Sequence, residues 1–169
     1  EAVTKMLEYV TPFETGKWLD TIEDWKAEHP LKMKKKPIMT PQDVIEAINR
    51  IFDEAIIVTD VGQHQMFTAQ FIEITEKKKL LMSGGLGTMG FGLPAAIGAT
   101  FGAPERTVCV FMGDGGLQMN IQELGTIMEQ KAPVKIICLN NNYLGNVRQW
   151  QAMFFNRRYS FTPMLNPDY

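Results

Sequence analysis

A chain of 169 residues is long enough for one domain or for part of a larger protein. It is 45% hydrophobic and 21% charged with a formal net charge of −2, so no basic surface argues for nucleic acid or a membrane as a partner. The two cysteines lie within apolar runs, which favours buried thiols over a disulfide framework or a metal knuckle. No apolar run reaches the roughly 18 residues that a membrane span needs.

The N-terminal part differs in composition from the rest. Residues 18–30 form an amphipathic, tryptophan-containing helical stretch, and the basic run 32–36 then has the composition of an exposed connector. The chain begins at glutamate without a signal-peptide pattern, so we expect a piece of a longer protein. We predict that residues 1–36 are the tail of a preceding domain with a linker. Residues 37–169 are then an incomplete C-terminal domain.

Helix start signals recur in the second part of the chain. Thr40 with Asp43 three residues later predicts a capping box, and Asn120 with Glu123 predicts another. Apolar residues at helical spacing follow both pairs. The predicted helices cover residues 41–52, 62–71, 93–102 and 121–131.

Short apolar runs between these helices predict strands. The runs 55–60, 107–112 and 134–139 are typical of strands that are buried on both faces. The stretch KKKLLMS, residues 77–83, is a poor strand. Alternating strands and helices predict an α/β fold, a parallel sheet with helices on both faces. Three strands are few for such a sheet, so we expect the fold to be truncated at the C-terminus.

Glycines and polar side chains follow each predicted strand, at residues 62–64, 113–116 and 140–142. Ligands bind beyond the carboxyl ends of parallel strands, and a right-handed crossover can place Asp114 beside the asparagine cluster. Carboxylate and amide oxygens suit Mg²⁺, and the glycines after Asp114 can bring backbone N–H groups close to phosphate. A glycine turn with helix-capping asparagines is the alternative. The matching strand ends favour a site.

Residues 85–90 match the G-x-G-x-x-G pattern of dinucleotide-binding proteins, with Glu105 further along the chain. That pattern needs a strand before the glycines and the acid at the end of the next strand. Here the preceding stretch is a poor strand, and Glu105 comes before the next strand. We therefore reject NAD binding and keep a close backbone approach to some ligand as the alternative role of these glycines.

Four sequence blocks and a C-terminal fifth carry a resemblance to a known family. GDG followed by NN resembles the thiamine diphosphate motif of the 2-oxo acid decarboxylase and carboligase superfamily. From residue 38 onwards the chain resembles the catalytic large subunit of the acetolactate synthase (acetohydroxyacid synthase) family. The blocks are DVGQHQM (60–66), SGGLGTMGFGLPAAIGA (83–99), GDGGLQMNIQEL (113–124), LNNNYLGNVRQWQ (139–151) and RRYSFTPMLNPDY (157–169).

The resemblance implies an enzyme. In this family pyruvate condenses with a second 2-oxo acid, with loss of CO₂, to give 2-acetolactate or 2-aceto-2-hydroxybutyrate for branched-chain amino acid biosynthesis. Asp114, the Asn141 side chain and the Tyr143 carbonyl would bind Mg²⁺, and Trp150 would line the substrate channel. The thiamine diphosphate-binding residues would be Gln63, His64, Gly87, Met89, Gly113, Gly115, Gly116, Leu144, Gly145 and Asn146.

Several of these residues have a second interpretation. Met89 would be the wedge that keeps the cofactor bent beside the Gly87 carbonyl, yet it could instead pack in the core. His64 and Trp150 could likewise have purely structural roles. Asn146 stands where many relatives carry an apolar residue, often methionine, which leaves the substrate preference open.

The resemblance also implies missing parts. No catalytic residue is expected in this chain, because the glutamate that activates the cofactor belongs to an N-terminal domain of the neighbouring subunit. FAD would bind a missing middle domain. The expected assembly is a homodimer or homotetramer, with a small regulatory subunit as a further partner. The expected compartment is the bacterial cytoplasm, with a plastid as the alternative.

Two other functions compete with this one. Another enzyme of the superfamily, such as a glyoxylate carboligase or pyruvate oxidase, would share the cofactor motif but not the NVRQWQ and LNPDY sequences. A non-catalytic assembly module of the same fold would not need Asp114 and Asn141, both of which are present.

Overall fold

The computed structural model describes residues 1–34 and 37–168. The chain divides into two compact units, Glu1–Lys34 and the remainder. The predicted domain boundary between residues 36 and 37, and the predicted domain end at residue 169, both touch positions outside the described residues. None of the helices in the described part of the chain is long and apolar enough to cross a membrane.

The first unit contains two helices, α1 (Ala2–Leu7) and α2 (Gly16–Glu28). The rings of Trp18 and Trp25 meet edge to face on α2, with centroids 5.6 Å apart. This contact is consistent with the predicted amphipathic helix, since residues seven apart lie on the same side of a helix. Both tryptophans are more than half exposed within the structure as described.

The second unit has the predicted α/β fold with a parallel sheet, and this sheet has four strands. The strands lie in the order β2-β1-β3-β4, so the chain runs outward from β1 to one edge and then back across it. The strands are β1 (Ile56–Thr59), β2 (Lys79–Met82), β3 (Val108–Met112) and β4 (Val134–Cys138). The helices are α3 (Pro41–Ile51), α4 (Gln63–Phe71), α5 (Gly92–Gly102), α6 (Asp114–Met119), α7 (Glu123–Gln130) and α8 (Gly145–Phe154).

Strand β2 corrects the prediction of three strands. The stretch KKKLLMS, interpreted as a poor strand, pairs in parallel with β1 from Lys79 to Met82. An edge strand has only one hydrogen-bonded neighbour, so exposed lysine side chains are compatible with it. The Lys78 side chain is buried just before the strand and donates to the Asn49 amide oxygen at 3.3 Å.

Strand β4 corrects the prediction that all three apolar runs are buried on both faces. β1 and β3 are completely buried, whereas β4 is mostly half-buried and its Lys135 is exposed. β4 is the other outer strand of the described sheet, and it therefore has strand neighbours on one side only.

Helices cover both faces of the sheet, as predicted. On one face α5 and α6 pack on β1 and β3 around Leu93, Val110 and Leu117. On the opposite face α3 and α4 pack on the same strands around Ile45 and Phe111. Cys109 is buried and Cys138 is half-buried, and both are free thiols. The two central strands are therefore shielded by helices, and short turns connect their carboxyl ends to α4 and α6.

The first of the two predicted capping boxes is confirmed. Thr40 Oγ1 accepts from the Asp43 N–H at 3.3 Å, and the Asp43 carboxylate accepts from the Thr40 N–H at 2.8 Å. The second is wrong, because α7 begins after Gln122 without a side-chain cap. Asn120 instead donates to the Gly90 carbonyl at 2.7 Å, since that turn lies beside it and offers an acceptor.

Candidate functional site

The carboxyl ends of β1, β3 and β4 meet at one edge of the sheet, because these strands are parallel neighbours. Residues 62–64 follow β1, residues 113–116 follow β3 and residues 140–142 follow β4. The three polar segments predicted at strand ends therefore surround one region. The crossover through α6 and α7 brings the asparagines alongside Asp114.

Asp114 forms the acidic centre of this region. It is the first residue of α6 and is only 2% exposed. Its Oδ2 accepts a hydrogen bond of 2.7 Å from the Asn166 amide. The same amide nitrogen donates to Asn140 Oδ1 at 3.1 Å and to Asn142 Oδ1 at 2.8 Å. One buried carboxylate and two amide oxygens are thus gathered around a single nitrogen.

Asn141 lies on the side of the cluster that faces β1. Its Nδ2 donates to Gln63 Oε1 at 3.3 Å, and its Oδ1 accepts from the Tyr143 N–H at 2.9 Å. Gly145 is packed against this pair, since a Cβ there would collide with Gln63 and lie 3.0 Å from Asn141 Nδ2. Gln63, Asn141 and Gly145 were each predicted for the site, and the structure brings them together.

The asparagine turn has a demanding backbone. Asn142 has φ 59°, in the left-handed region that asparagine tolerates better than most residues. This conformation supplies a structural reason for an asparagine at position 142. The same reason does not apply to Asn140 and Asn141, because their φ angles are not positive.

Gly115 lies where two other predicted cofactor contacts, Leu144 and Met89, converge. A Cβ at Gly115 would lie 3.1 Å from the Leu144 side chain, 3.2 Å from Met164 Sδ and 3.5 Å from Met89 Cε. Met89 is half-buried and belongs to neither core cluster. The interpretation of Met89 as a core residue therefore lacks support, and its methyl group points to the glycine turn of the site.

Gly87 and Gly90 shape the loop between β2 and α5. Their φ angles are 62° and 89°, which side chains with a Cβ rarely adopt. Glu105 lies before β3 and not at its end. The argument against a dinucleotide site that rested on a missing strand is wrong, since β2 precedes the glycines. The argument from the position of Glu105 still excludes the pattern.

Asp60 organises this edge of the sheet and was not singled out from the sequence. It is fully buried, and its carboxylate accepts from the Gly90 N–H at 2.8 Å and from the Val61 N–H at 2.7 Å. Burial raises the pKa of this carboxyl, and these backbone hydrogen bonds oppose the rise. A Cβ at Gly92 would lie 2.8 Å from the Asp60 N atom, and a Cβ at Gly116 would collide with its carboxylate. The sequence signal that could have identified Asp60 is its position directly after a buried strand.

His64 is packed between two glycines. A Cβ at Gly62 would lie 2.7 Å from the imidazole, and a Cβ at Gly113 would lie 2.9 Å from His64 Nδ1. Burial lowers the pKa of His64 to about 4, against a hydrogen bond with the Asp60 backbone and the charge of Asp114, which both raise it. Among the described residues, His64 Nε2 finds no hydrogen-bond partner. The ring is therefore neutral at pH 7, with a polar atom available to a ligand.

Stability is expected to depend on pH through His64. Its pKa falls from 6.5 to about 4 on folding, so the unfolded chain binds the proton more tightly. The free energy of unfolding therefore has its full value above about pH 6.5. It falls by up to about 3 kcal/mol as the pH is lowered towards 4, because the unfolded chain takes up the His64 proton first. Urea unfolding of the wild type and of His64→Gln between these pH values measures it. An equally steep loss in His64→Gln would contradict the assignment.

A cavity of about 510 Å³ lies beside α8. Trp150, predicted for the substrate channel, lines it and stacks edge to face on Phe154 with centroids 5.2 Å apart. Trp150 is 62% exposed, so the interpretation of it as a core residue is wrong. Asn146 also lines the cavity, and its buried Oδ1 finds no partner within the described chain. The lining residues are Asn146, Val147, Trp150, Gln151, Phe155 and Arg158.

Arg148 contacts the aromatic rings of two tyrosines, one of which, Tyr143, follows the asparagine turn. Its guanidinium lies over the Tyr143 ring at 4.2 Å and over the Tyr159 ring at 4.0 Å. Such cation–π contacts stabilise a fixed arrangement of the partners. Sequence reasoning missed both Arg148 and Tyr159, because nothing in their spacing indicates a shared contact.

The side-chain oxygen atoms in this region are suitable ligands for a hard divalent cation. Within residues 1–34 and 37–168, no three His, Cys, Asp or Glu side chains cluster as a metal site. The oxygens near Asp114 come from one carboxylate and neighbouring amides, the ligand types that Mg²⁺ accepts together with substrate phosphates. The glycines at 115 and 116 and the free His64 Nε2 leave polar groups for a phosphorylated ligand.

Comparison with known proteins agrees with this chemistry. The family described as thiamine pyrophosphate enzyme, C-terminal TPP binding domain, matches residues 60–169. The chain is 46% identical to the acetolactate synthase large subunit of Cyanidium caldarium, over 92% of this chain and 27% of that protein. It is 45% identical to the isozyme 3 large subunit of Escherichia coli, over 92% of this chain and 28% of that protein.

A third relative, the acetolactate synthase large subunit of Porphyra purpurea, is 43% identical over 97% of this chain and 29% of its own length. The chain therefore spans somewhat more than a quarter of the curated relatives that it matches. The family match covers well over half of the chain and includes the three strand ends at which the polar residues gather. The chain belongs to the thiamine pyrophosphate enzymes, as their C-terminal TPP-binding domain.

Proposed function

We propose that this chain is the cofactor-binding part of an acetolactate synthase large subunit. The observation that carries the proposal is the gathering of the buried Asp114 carboxylate and the side-chain oxygens of Asn140 and Asn142, which flank Asn141, at adjacent strand ends. Identities of 43–46% to subunits of that name support the choice within the family. The full-length protein would condense pyruvate with a second 2-oxo acid and release CO₂.

The residues of this chain would mainly bind and orient. Asp114, Asn141 Oδ1 and the Tyr143 carbonyl would hold Mg²⁺, and the N–H groups of Gly115 and Gly116 would face the diphosphate. Thiamine diphosphate would supply the electron sink for decarboxylation when bound. The methyl group of Met89 lies against the glycine turn, and Met89 would hold the two rings of the cofactor at a fixed angle.

Further contacts would lie around this centre. Gln63 is held by Asn141 and by Gln149, whose Oε1 accepts from Gln63 Nε2 at 2.8 Å. His64 would offer Nε2, and the segment Leu144–Asn146 would follow the cofactor into α8. Gly87 would direct its carbonyl to the aminopyrimidine, and Gly113 would admit the His64 ring beside the diphosphate.

The cavity beside α8 would receive the substrates. Its lining is largely apolar, which suits the short alkyl chains of pyruvate and 2-oxobutyrate. Arg158 is the cationic side chain among the lining residues, and it suits a substrate carboxylate. Trp150 contributes an aromatic surface to the cavity and Asn146 contributes a polar amide. Together they would set the preference for the second substrate.

The remaining components would come from elsewhere in the protein. The glutamate that activates the cofactor would belong to a neighbouring subunit, and FAD would bind a middle domain. A homodimer or homotetramer with a small regulatory subunit is the proposed assembly. The proposed compartment is the bacterial cytoplasm, with the plastid as the alternative.

A product assay on the full-length protein tests this function. With pyruvate, thiamine diphosphate and Mg²⁺ we expect 2-acetolactate and one CO₂ for each product molecule. Tartronate semialdehyde from glyoxylate would indicate a glyoxylate carboligase, and acetyl phosphate or peroxide would indicate a pyruvate oxidase. Cofactor binding without any turnover would favour a non-catalytic assembly module.

Replacing Met89 by alanine is expected to lower activity much more than stability. Because Met89 is half-buried and outside both core clusters, the change should cost less than the 2–5 kcal/mol, roughly, of a core truncation. We expect kcat to fall by about tenfold or more, equivalent to ~1.4 kcal/mol of transition-state stabilisation. Melting without cofactor and steady-state kinetics of the full-length protein measure the two effects. A large drop in melting temperature with normal turnover would return Met89 to a packing role.

A further inference from the structure

Asn166 lies at the centre of the oxygen cluster but far from it in sequence. Its Nδ2 is within 2.7–3.1 Å of three oxygens, on Asp114, Asn140 and Asn142. A side-chain amide has two N–H groups, so three acceptors compete for two protons. At least one of the two N–H groups is therefore shared between two acceptors.

Gln118 fixes the direction of that amide. Its Nε2 donates to Asn166 Oδ1 at 2.6 Å, from the half-buried end of helix α6. The hydrogen bond places the Asn166 oxygen towards Gln118 and its nitrogen towards Asp114. Gln118 and Asp114 belong to the same short helix, so Asn166 bridges the first turn of that helix and its last residues.

Backbone contacts fasten the segment Thr162–Asn166 to the asparagine turn. The Leu144 N–H donates to the Thr162 carbonyl at 2.9 Å, and the Met164 N–H donates to the Asn142 carbonyl at 2.9 Å. Tyr143 and Pro163 form an antiparallel bridge between these two bonds. The segment therefore holds the turn on which two of the predicted metal ligands are carried.

The electrostatic consequence concerns the oxygens. Asp114 Oδ2 and the Oδ1 atoms of Asn140 and Asn142 are all electron-rich, and a donor between them holds Asp114 beside the turn that carries the predicted ligand Asn141. Residues that orient metal ligands from outside the coordination sphere commonly contribute to metal affinity. The Asn166 donor also occupies one oxygen of Asp114 and so limits rotation of the carboxylate.

We propose that Asn166, oriented by Gln118, is a positioning residue of the divalent-cation site. In this role it acts through Asp114 and the asparagine turn, by holding them in a geometry that receives the cation. This inference rests on the proposed function, because that function supplies the cation at Asp114.

The test uses Mn²⁺ in place of Mg²⁺ on the full-length protein with thiamine diphosphate present. Free Mn²⁺ is followed by electron paramagnetic resonance in the wild type, Asn166→Ala, Gln118→Met and Leu165→Ala. Leu165 is fully exposed beside Asn166, so its change is the matched control for the segment. Melting curves without metal or cofactor report the structural effect of each change.

We expect Asn166→Ala to weaken Mn²⁺ binding by about tenfold or more and Gln118→Met by about threefold or more, with Leu165→Ala near wild type. Saturating Mn²⁺ should restore most of kcat in both site variants. Unchanged affinity in Asn166→Ala would overturn the inference while leaving the site at Asp114 intact. If that variant does not fold, unchanged affinity in Gln118→Met overturns it. A wild type that binds no Mn²⁺ would overturn the proposed metal site and the inference with it.

Discussion

Replacing Gly116 by alanine is expected to destabilise the second unit by about 3 kcal/mol or more, because overpacking a rigid site forces its neighbours to move. The added Cβ would overlap the Asp60 carboxylate and lie 2.8 Å from its Cγ. Asp60 cannot move cheaply, since it is fully buried and holds the N–H groups of Gly90 and Val61. Urea unfolding measures the change.

Gly125→Ala is the matched control. Gly125 lies within helix α7, and a Cβ there would meet nothing within 4 Å. Because alanine is the better helix former, this change should leave stability unaltered or raise it by up to about 1 kcal/mol. Equal destabilisation by both changes would show that the close contact between Gly116 and Asp60 does not determine the result.

Replacing Asp114 by asparagine is expected to abolish Mg²⁺-dependent binding of thiamine diphosphate. Asp114 is 2% exposed and would supply the one carboxylate of the proposed ligand set, so its removal withdraws the charge that attracts the cation. We expect affinity for the cofactor in the presence of Mg²⁺ to fall by more than about a hundredfold, beyond the usual effect of residues outside the coordination sphere. Titration of the full-length protein, followed by quenching of tryptophan fluorescence, measures this affinity.

Asp53→Asn provides the control for loss of a carboxylate. Asp53 is exposed in the turn before β1, away from the strand ends that form the site. Its replacement should leave cofactor affinity unchanged. Wild-type affinity in Asp114→Asn would remove Asp114 from the metal site, and the predicted roles of Asn141 and Tyr143 would lose their basis.

The buried strands were predictable from residue patterns. The apolar runs of β1 and β3 are continuous because helices cover both faces, and this pattern is what the sequence displays. β2 was missed because an edge strand can carry lysines, so its apolar character is weak. Asn120 was assigned to the wrong partner, because capping statistics do not anticipate the nearby Gly90 carbonyl.

The proximity of Asp114 and the asparagines was predictable from the sequence, but the contacts that support it were not. Asp114 and the asparagines follow successive strands, so parallel topology alone brings them together. Asn166 is 52 residues from Asp114 and belongs to a segment without regular secondary structure. Its position depends on backbone bonds to the asparagine turn, which no periodicity in the sequence records. The contact of Asp60 with Gly90, 30 residues along the chain, and the contacts of Arg148 with the rings of Tyr143 and Tyr159 likewise follow no periodic pattern.

The position of a bound metal tests the central claim most directly. Crystals of the full-length protein grown with thiamine diphosphate and Mn²⁺ would give an anomalous signal at the metal. We predict one peak at the carboxyl ends of β3 and β4, at coordination distance from the Asp114 carboxylate, the Asn141 side chain and the Tyr143 carbonyl, with the diphosphate beside Gly115. A peak elsewhere, or ordered cofactor at this edge with no metal at Asp114, would contradict the account.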